Sequence, residues 1–168
     1  MNFSAANPGK RFFRKLVSSP GDYGLAAFNR NDQITYLVLT TLAVFTLSLA
    51  RWLTPSTNGF GTHTQLGLPP CVFFKLTGIP CPTCGLTTSF AHSARLHFYE
   101  AFITQPFGVL LFSLTVISIP LFIVLLRRRI AWSAVILARG VDWLIYFLIA
   151  AGLAGWLYKI AVVKSLFN

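Results

Sequence analysis

Three long apolar runs dominate the pattern of the chain, each too continuous for the surface helix of a soluble protein. The first covers residues 34–53, meets no charge before Arg51, and follows Asn31 and Asp32, which suit a helix N-cap. The second covers 106–126 and ends at Arg127-Arg128-Arg129. Pro106 is tolerated in a first helical turn, whereas the interior Pro120 predicts a kink. The third covers 141–163, with Asp142 and Trp143 at one end and Trp156, Tyr158 and Lys159 at the other, as interface markers. Within it Ala151 and Gly155 have the spacing that lets helices approach closely. About twenty residues at 1.5 Å rise span about 30 Å, the thickness of a bilayer's hydrocarbon core.

Between the first two runs the pattern changes. Residues 54–105 are dense in proline and glycine and hold all three cysteines and all three histidines. Helical spacing returns over 86–104, where Phe90, Ala94, Phe98 and Phe102 recur four apart and Ala91 and Ala101 widen the stripe. This predicts an amphipathic helix in the membrane interface or packed on the spans. Residues 1–33 form a polar tail containing Lys10-Arg11-Phe12-Phe13-Arg14-Lys15, and 127–140 form a basic loop whose apolar part is too short to span. The expected fold class is an all-α membrane protein. It has three transmembrane helices, a cysteine-rich extracytoplasmic loop and an amphipathic interfacial helix.

Composition supports the membrane reading. Charged residues make up 11% of the chain, against about 25% in soluble domains. Apolar residues reach 55% and the mean hydropathy is +0.66, which excludes a soluble or a disordered chain. The net charge of +10 changes the picture only once it is placed along the chain. Nine of the fourteen basic residues lie before the first run or between the second and third: Lys10, Arg11, Arg14, Lys15, Arg30, Arg127, Arg128, Arg129 and Arg139. The positive-inside rule then puts the N-terminus in the cytoplasm, the cysteine loop outside and the C-terminus outside. The first run would act as an uncleaved anchor, since no apolar stretch follows the early charges closely enough for a signal peptide. The basic face would meet anionic lipid, not nucleic acid. Few ionisable groups interrupt the runs, which argues against a proton-driven transporter.

The chemistry lies in the cysteines. Cys81-Pro-Thr-Cys84-Gly85 has knuckle spacing, so two thiolates can reach one tetrahedral ion. Gly85 permits a positive φ directly after the second ligand. Cys71 offers a third thiolate, and His63, in a glycine-rich loop, is the preferred fourth ligand over His92 and His97. Zinc is the expected ion. The competing use is thiol–disulfide chemistry at Cys81 and Cys84, although no βαβ pattern of a thioredoxin-like fold is present. No paired carboxylates, phosphate loop or dinucleotide fingerprint accompanies the cysteines, so a non-enzymatic role is favoured.

The stretch Leu66-Gly-Leu-Pro-Pro-Cys71 … Leu76-Thr-Gly-Ile-Pro-Cys81-Pro-Thr-Cys84-Gly-Leu-Thr-Thr-Ser-Phe-Ala-His92 resembles domain-of-unknown-function family 2752 over roughly residues 59–126. Many members carry arginine where this chain has Thr88, and Asn-Pro where it has Gln105-Pro106. The resemblance implies a small multi-pass protein of the bacterial cytoplasmic membrane. It implies no reaction. The partners expected are lipid and either another membrane protein or a second copy of the chain.

The charge distribution carries one prediction. A periplasmic-activity reporter fused after Asn168 should be active, and activity of a cytoplasmic reporter at the same point would refute the orientation.

Overall fold

The first apolar run forms α1, Arg30–Trp52, in the computed structural model, which describes residues 28–137 and 139–167. The basic patch of the tail lies outside the described residues. α1 starts four residues before the apolar run because the cap is Asn29, not Asn31 or Asp32. The Asn29 side chain accepts from the helix's first N–H groups, while the Asn29 N–H donates to the Asp32 carboxylate at 2.8 Å. This reciprocal pairing satisfies donors that the apolar run cannot. The other Asp32 oxygen accepts from the Trp132 N–H at 3.0 Å, so the cap also holds the loop after the second span.

That second span is α5, Pro106–Arg127, which continues through Pro120. The stretch left open at 130–139 contains a short helix, α6, Trp132–Ile136. It is pinned by aromatic contacts: Tyr36 lies 5.6 Å from Trp132 and 6.2 Å from Phe122, ring centre to ring centre. The Tyr36 hydroxyl donates to the Ile130 carbonyl at 3.1 Å. α7, Arg139–Phe167, completes the fold. Among the described residues, three helices are therefore long and apolar enough to cross a membrane: Arg30–Trp52, Pro106–Arg127 and Gly140–Lys164. Their outer faces leave Phe45, Ile117, Tyr146 and Leu153 exposed, as lipid-facing surfaces require.

Residues 54–105 gather at the end of the bundle where α1 stops and α5 begins. A 3-10 turn, Thr62–Leu66, and a short helix, α2, Val72–Thr77, interrupt the expected loop. The single helix expected over 86–104 is instead two: α3, Leu86–Ser93, and α4, Phe98–Thr104. The break is a left-handed C-cap. Leu96 takes φ 64°, and the His97 N–H returns to the His92 carbonyl at 3.1 Å. Only part of the expected stripe packs inward: Ala91 and Ala101 are buried and the Phe90 ring lies 5.6 Å from that of Phe112 in α5. Phe98 and Phe102 are exposed, whereas Thr88, Ser89, Ala91 and Ser93 are buried. Small residues win here because they let helices come close. Ser89 sits against Gly108 of α5, and its hydroxyl lies 3.0 Å from the Ala101 carbonyl and 3.1 Å from that of Gln105. Arg95 closes the far side by donating to the Ala50 and Ala91 carbonyls.

The small residues of α7 serve the same purpose. Gly152 and Gly155 lie on Phe107, the second residue of α5. A Cβ added at Gly155 would come within 2.8 Å of Phe107 Cβ, and one at Gly108 within 2.7 Å of Ser89 Cβ. Neither obstacle is a flexible side-chain end. Gly155→Ala and Gly108→Ala should each lose about 1–3 kcal/mol by overpacking, more than the ~1 kcal/mol alanine gains over glycine in a helix. Gly140→Ala, with nothing within 4 Å, should be neutral or better. Thermal unfolding in detergent checks this, and equal midpoints for all three variants would contradict it.

Candidate metal centre

The cysteines come from two places in the chain that the fold brings together. Cys71 is the residue before α2, a helix stopped by Gly78 in the left-handed region (φ 67°). Cys81 and Cys84 bracket the turn before α3, closed by the Cys84 N–H on the Cys81 carbonyl at 2.9 Å. Gly85 follows with φ 91°, and its missing side chain is required twice over. A Cβ there would lie 3.0 Å from the Gly59 carbonyl oxygen and 3.3 Å from the Lys159 ammonium. The positive φ expected after Cys84 is therefore present, together with a close approach that the spacing did not reveal.

The segment is fastened mainly by polar contacts. Gln65 clamps Thr54 at both its N–H (3.1 Å) and its carbonyl (2.6 Å). The Thr62 hydroxyl accepts from the Ser56 N–H and pairs with the Thr88 hydroxyl at 2.8 Å, joining the 3-10 turn to α3. Two residues of α7 reach in from the third span. Trp156 Nε1 donates to the Pro80 carbonyl at 2.8 Å, one residue before Cys81. Lys159 is 4% exposed, and its Nζ donates to the carbonyls of Gly59 (3.1 Å) and Thr104 (3.0 Å). Trp156 and Lys159 thus face the cysteine segment. The reading of Trp156, Tyr158 and Lys159 as lipid-interface markers missed this. The available signal was their helical spacing with Gly152, Gly155 and Val163, which puts one lysine on the packed face of an apolar helix.

The three Sγ atoms all lie within 4.8 Å of one another. Cys71 and Cys81 are half-buried and Cys84 is buried. Zinc–sulfur bonds of about 2.3 Å give S···S separations of about 3.8 Å in a tetrahedral site, so the trio fits one ion with small adjustments. Among the described residues, no histidine or carboxylate joins the cluster. His63 lies on the wall of the adjoining cavity, where its Nε2 faces the Pro69 carbonyl oxygen at 3.2 Å. A carbonyl only accepts, so that nitrogen carries the hydrogen and Nδ1 keeps the free lone pair. His92 and His97 lie elsewhere, at the α3–α4 break, with ring centres 6.2 Å apart. The buried His92 Nδ1 has no hydrogen-bond partner. Burial lowers the His92 pKa, His97 and Arg95 lower it further, and Glu100 opposes them.

The thiols are unequal. Cys81 and Cys84 have their sulfurs 3.2 Å apart, and the Thr83 hydroxyl lies 3.3 Å from that of Cys81. Burial alone would raise Cys81, but hydrogen bonds with the Thr83 side chain, Cys84, Cys71 and the Thr83 N–H outweigh it and bring the thiol below its ordinary range. Burial, followed by the neighbouring Cys81 and Cys71 thiols, pushes Cys84 up to about 12.

A multi-span α-helical membrane protein with a three-cysteine cluster between its first and second spans is what these features define. Residues 71–125, from the first cysteine into the second span, match the model of a family described as "Protein of unknown function (DUF2752)". Neither a curated protein nor a solved structure matches the chain.

In the reduced, metal-free protein, iodoacetamide should alkylate Cys81 well ahead of Cys84 at neutral pH. The lowered group has the larger thiolate fraction there, and the raised one stays protonated even as pH passes the ordinary thiol range of about 8.5. Peptide mass spectrometry reads the two rates, and equal labelling would contradict the inequality.

Proposed function

We propose that the cysteine segment is a structural metal-binding module of a non-enzymatic membrane protein that assembles with another membrane protein. The observation that carries this reading is the convergence of Cys71, Cys81 and Cys84 from two chain segments onto one point. Soft thiolates favour zinc or copper(I) over hard cations, and zinc is the ion we assign. The ion would cross-link α2 to the turn before α3 in a segment whose own core is largely small and polar. In this reading the segment lies outside the cytoplasmic membrane of a bacterium, with the N-terminus inside, and offers its folded surface to the partner. The basic face of the protein meets anionic lipid.

A second reading, thiol–disulfide exchange, is favoured by the short Cys81–Cys84 separation and the unequal thiols. The Cys81 thiolate would attack a substrate disulfide and expel one substrate thiolate, which takes up a proton. Deprotonated Cys84 would then attack the mixed disulfide, releasing the second substrate thiolate and closing a Cys81–Cys84 bond. Two electrons pass to the substrate.

One preparation separates the two readings. Protein purified in detergent without chelators should carry one zinc per chain by elemental mass spectrometry, and Cys84→Ser should lose it. After denaturation and alkylation without reductant, all three thiols should be labelled. Absence of metal in the wild type refutes the metal reading, and a Cys81–Cys84 disulfide in its place establishes the second.

A further inference from the structure

A zinc site with four protein ligands is closed and structural, while one with three keeps a position for an outside donor. The cluster offers three. One cavity of about 1230 Å³ is lined by all three cysteines, by the Phe60–Phe74 pair and by Lys75 and Lys164. The two phenylalanine rings are 5.2 Å apart and form an apolar wall. Lys75 and Lys164 are exposed. No carboxylate lines the cavity among the described residues. Gly85, also on the cavity wall, packs on the Gly59 carbonyl and on Lys159. His63 shares the cavity wall but is not among the residues whose ligand atoms lie within 4.8 Å of one another.

We infer that the metal site is open, and that its fourth position takes a small anionic thiol entering from this cavity. The inference rests on the metal-binding reading above. The two halves of the ligand have separate grounds. A metal chosen by three thiolates is one that accepts a fourth soft donor. The remaining charge of the ligand faces two lysines and no carboxylate, an arrangement that selects anions. Binding forms one metal–sulfur bond, displaces a water from the metal and releases the thiol proton to solvent. No electron is transferred.

Cobalt(II) loaded anaerobically into the full-length protein in detergent tests this, because its visible spectrum reports coordination. The spectra of wild type and His63→Ala should be the same before any thiol is added. 3-Mercaptopropionate should then shift both. It should act at a roughly fivefold lower concentration than the cationic 2-aminoethanethiol, the scale of one exposed ion pair. The double variant Lys75→Gln/Lys164→Gln should still bind cobalt and lose that preference. A bound cobalt whose spectrum does not respond to either thiol overturns the open site, as does cobalt stripped into solution. A His63→Ala spectrum that differs at the outset makes His63 the fourth ligand and also overturns it. Equal response of the wild type to both thiols overturns the assignment of an anionic ligand. Failure of the wild type to take up cobalt refutes instead the metal reading on which the inference rests.

Discussion

The ammonium of Lys159 is the contact on which this end of the molecule depends. It comes from a helix apolar enough to cross a membrane, and it reaches the Gly59 and Thr104 carbonyls. These belong to the loop before the cysteines and to the end of α4. It also lies where a side chain at Gly85 would be. One charged group thus joins the third span, the cysteine segment and the entry to the second span. A buried charge is tolerated only where its donors are used. Here two donors meet carbonyls that helix and turn geometry leave unsatisfied. The same residue therefore bears on the fold and, through Gly85, on the backbone next to Cys84.

Among the described residues the buried interior carries a large polar share. Thr62, Thr88, Ser89, Ser93, Thr104, Gln105 and Lys159 are all buried, whereas the large apolar side chains mostly point outward. In a membrane this is the expected inversion. Lipid removes the penalty for exposing leucine and phenylalanine, so helix association relies on close packing and hydrogen bonds. Ser89 under Gly108 and Phe107 under Gly155 are the packing terms. The hydroxyl pair of Thr62 and Thr88 is a bonding term. The opposite end of the bundle follows the same logic with Asp32, Tyr36 and Trp132.

The three spans were legible because continuous apolar length has few competing meanings. The cysteine trio was legible because Cys-x-x-Cys is a local signal and Cys71 is near in sequence. What was not legible depended on positions that local pattern ranks wrongly. Leu96 adopts a left-handed C-cap without being glycine, so nothing marked the end of α3. The stripe of 86–104 held at Phe90, Ala91 and Ala101 and failed at Phe98 and Phe102 because, beside a bilayer, an apolar side chain has two favourable places to go. The inward face is chosen by size, and Ser89 and Ala91 fit where Phe98 would not. Lys159 was misread for a related reason. A lysine near the end of a span usually snorkels to the surface, and only the distant carbonyls of Gly59 and Thr104 reverse that preference.

Cys71 bears most directly on the choice between the two chemistries. A Cys81–Cys84 disulfide needs no third thiol and closes a loop that a backbone hydrogen bond already closes. It would leave α2 as it is, leaning on the loop before the 3-10 turn through Phe74 on Phe60, with Val72, Phe73 and Leu76 exposed. A metal bound by all three thiolates acts differently. It ties the start of α2 to the turn before α3 across ten residues of sequence and fixes the wall of the cavity. Because the ordering of that segment would then come from metal binding, its stability would follow metal supply. A disulfide offers no such dependence.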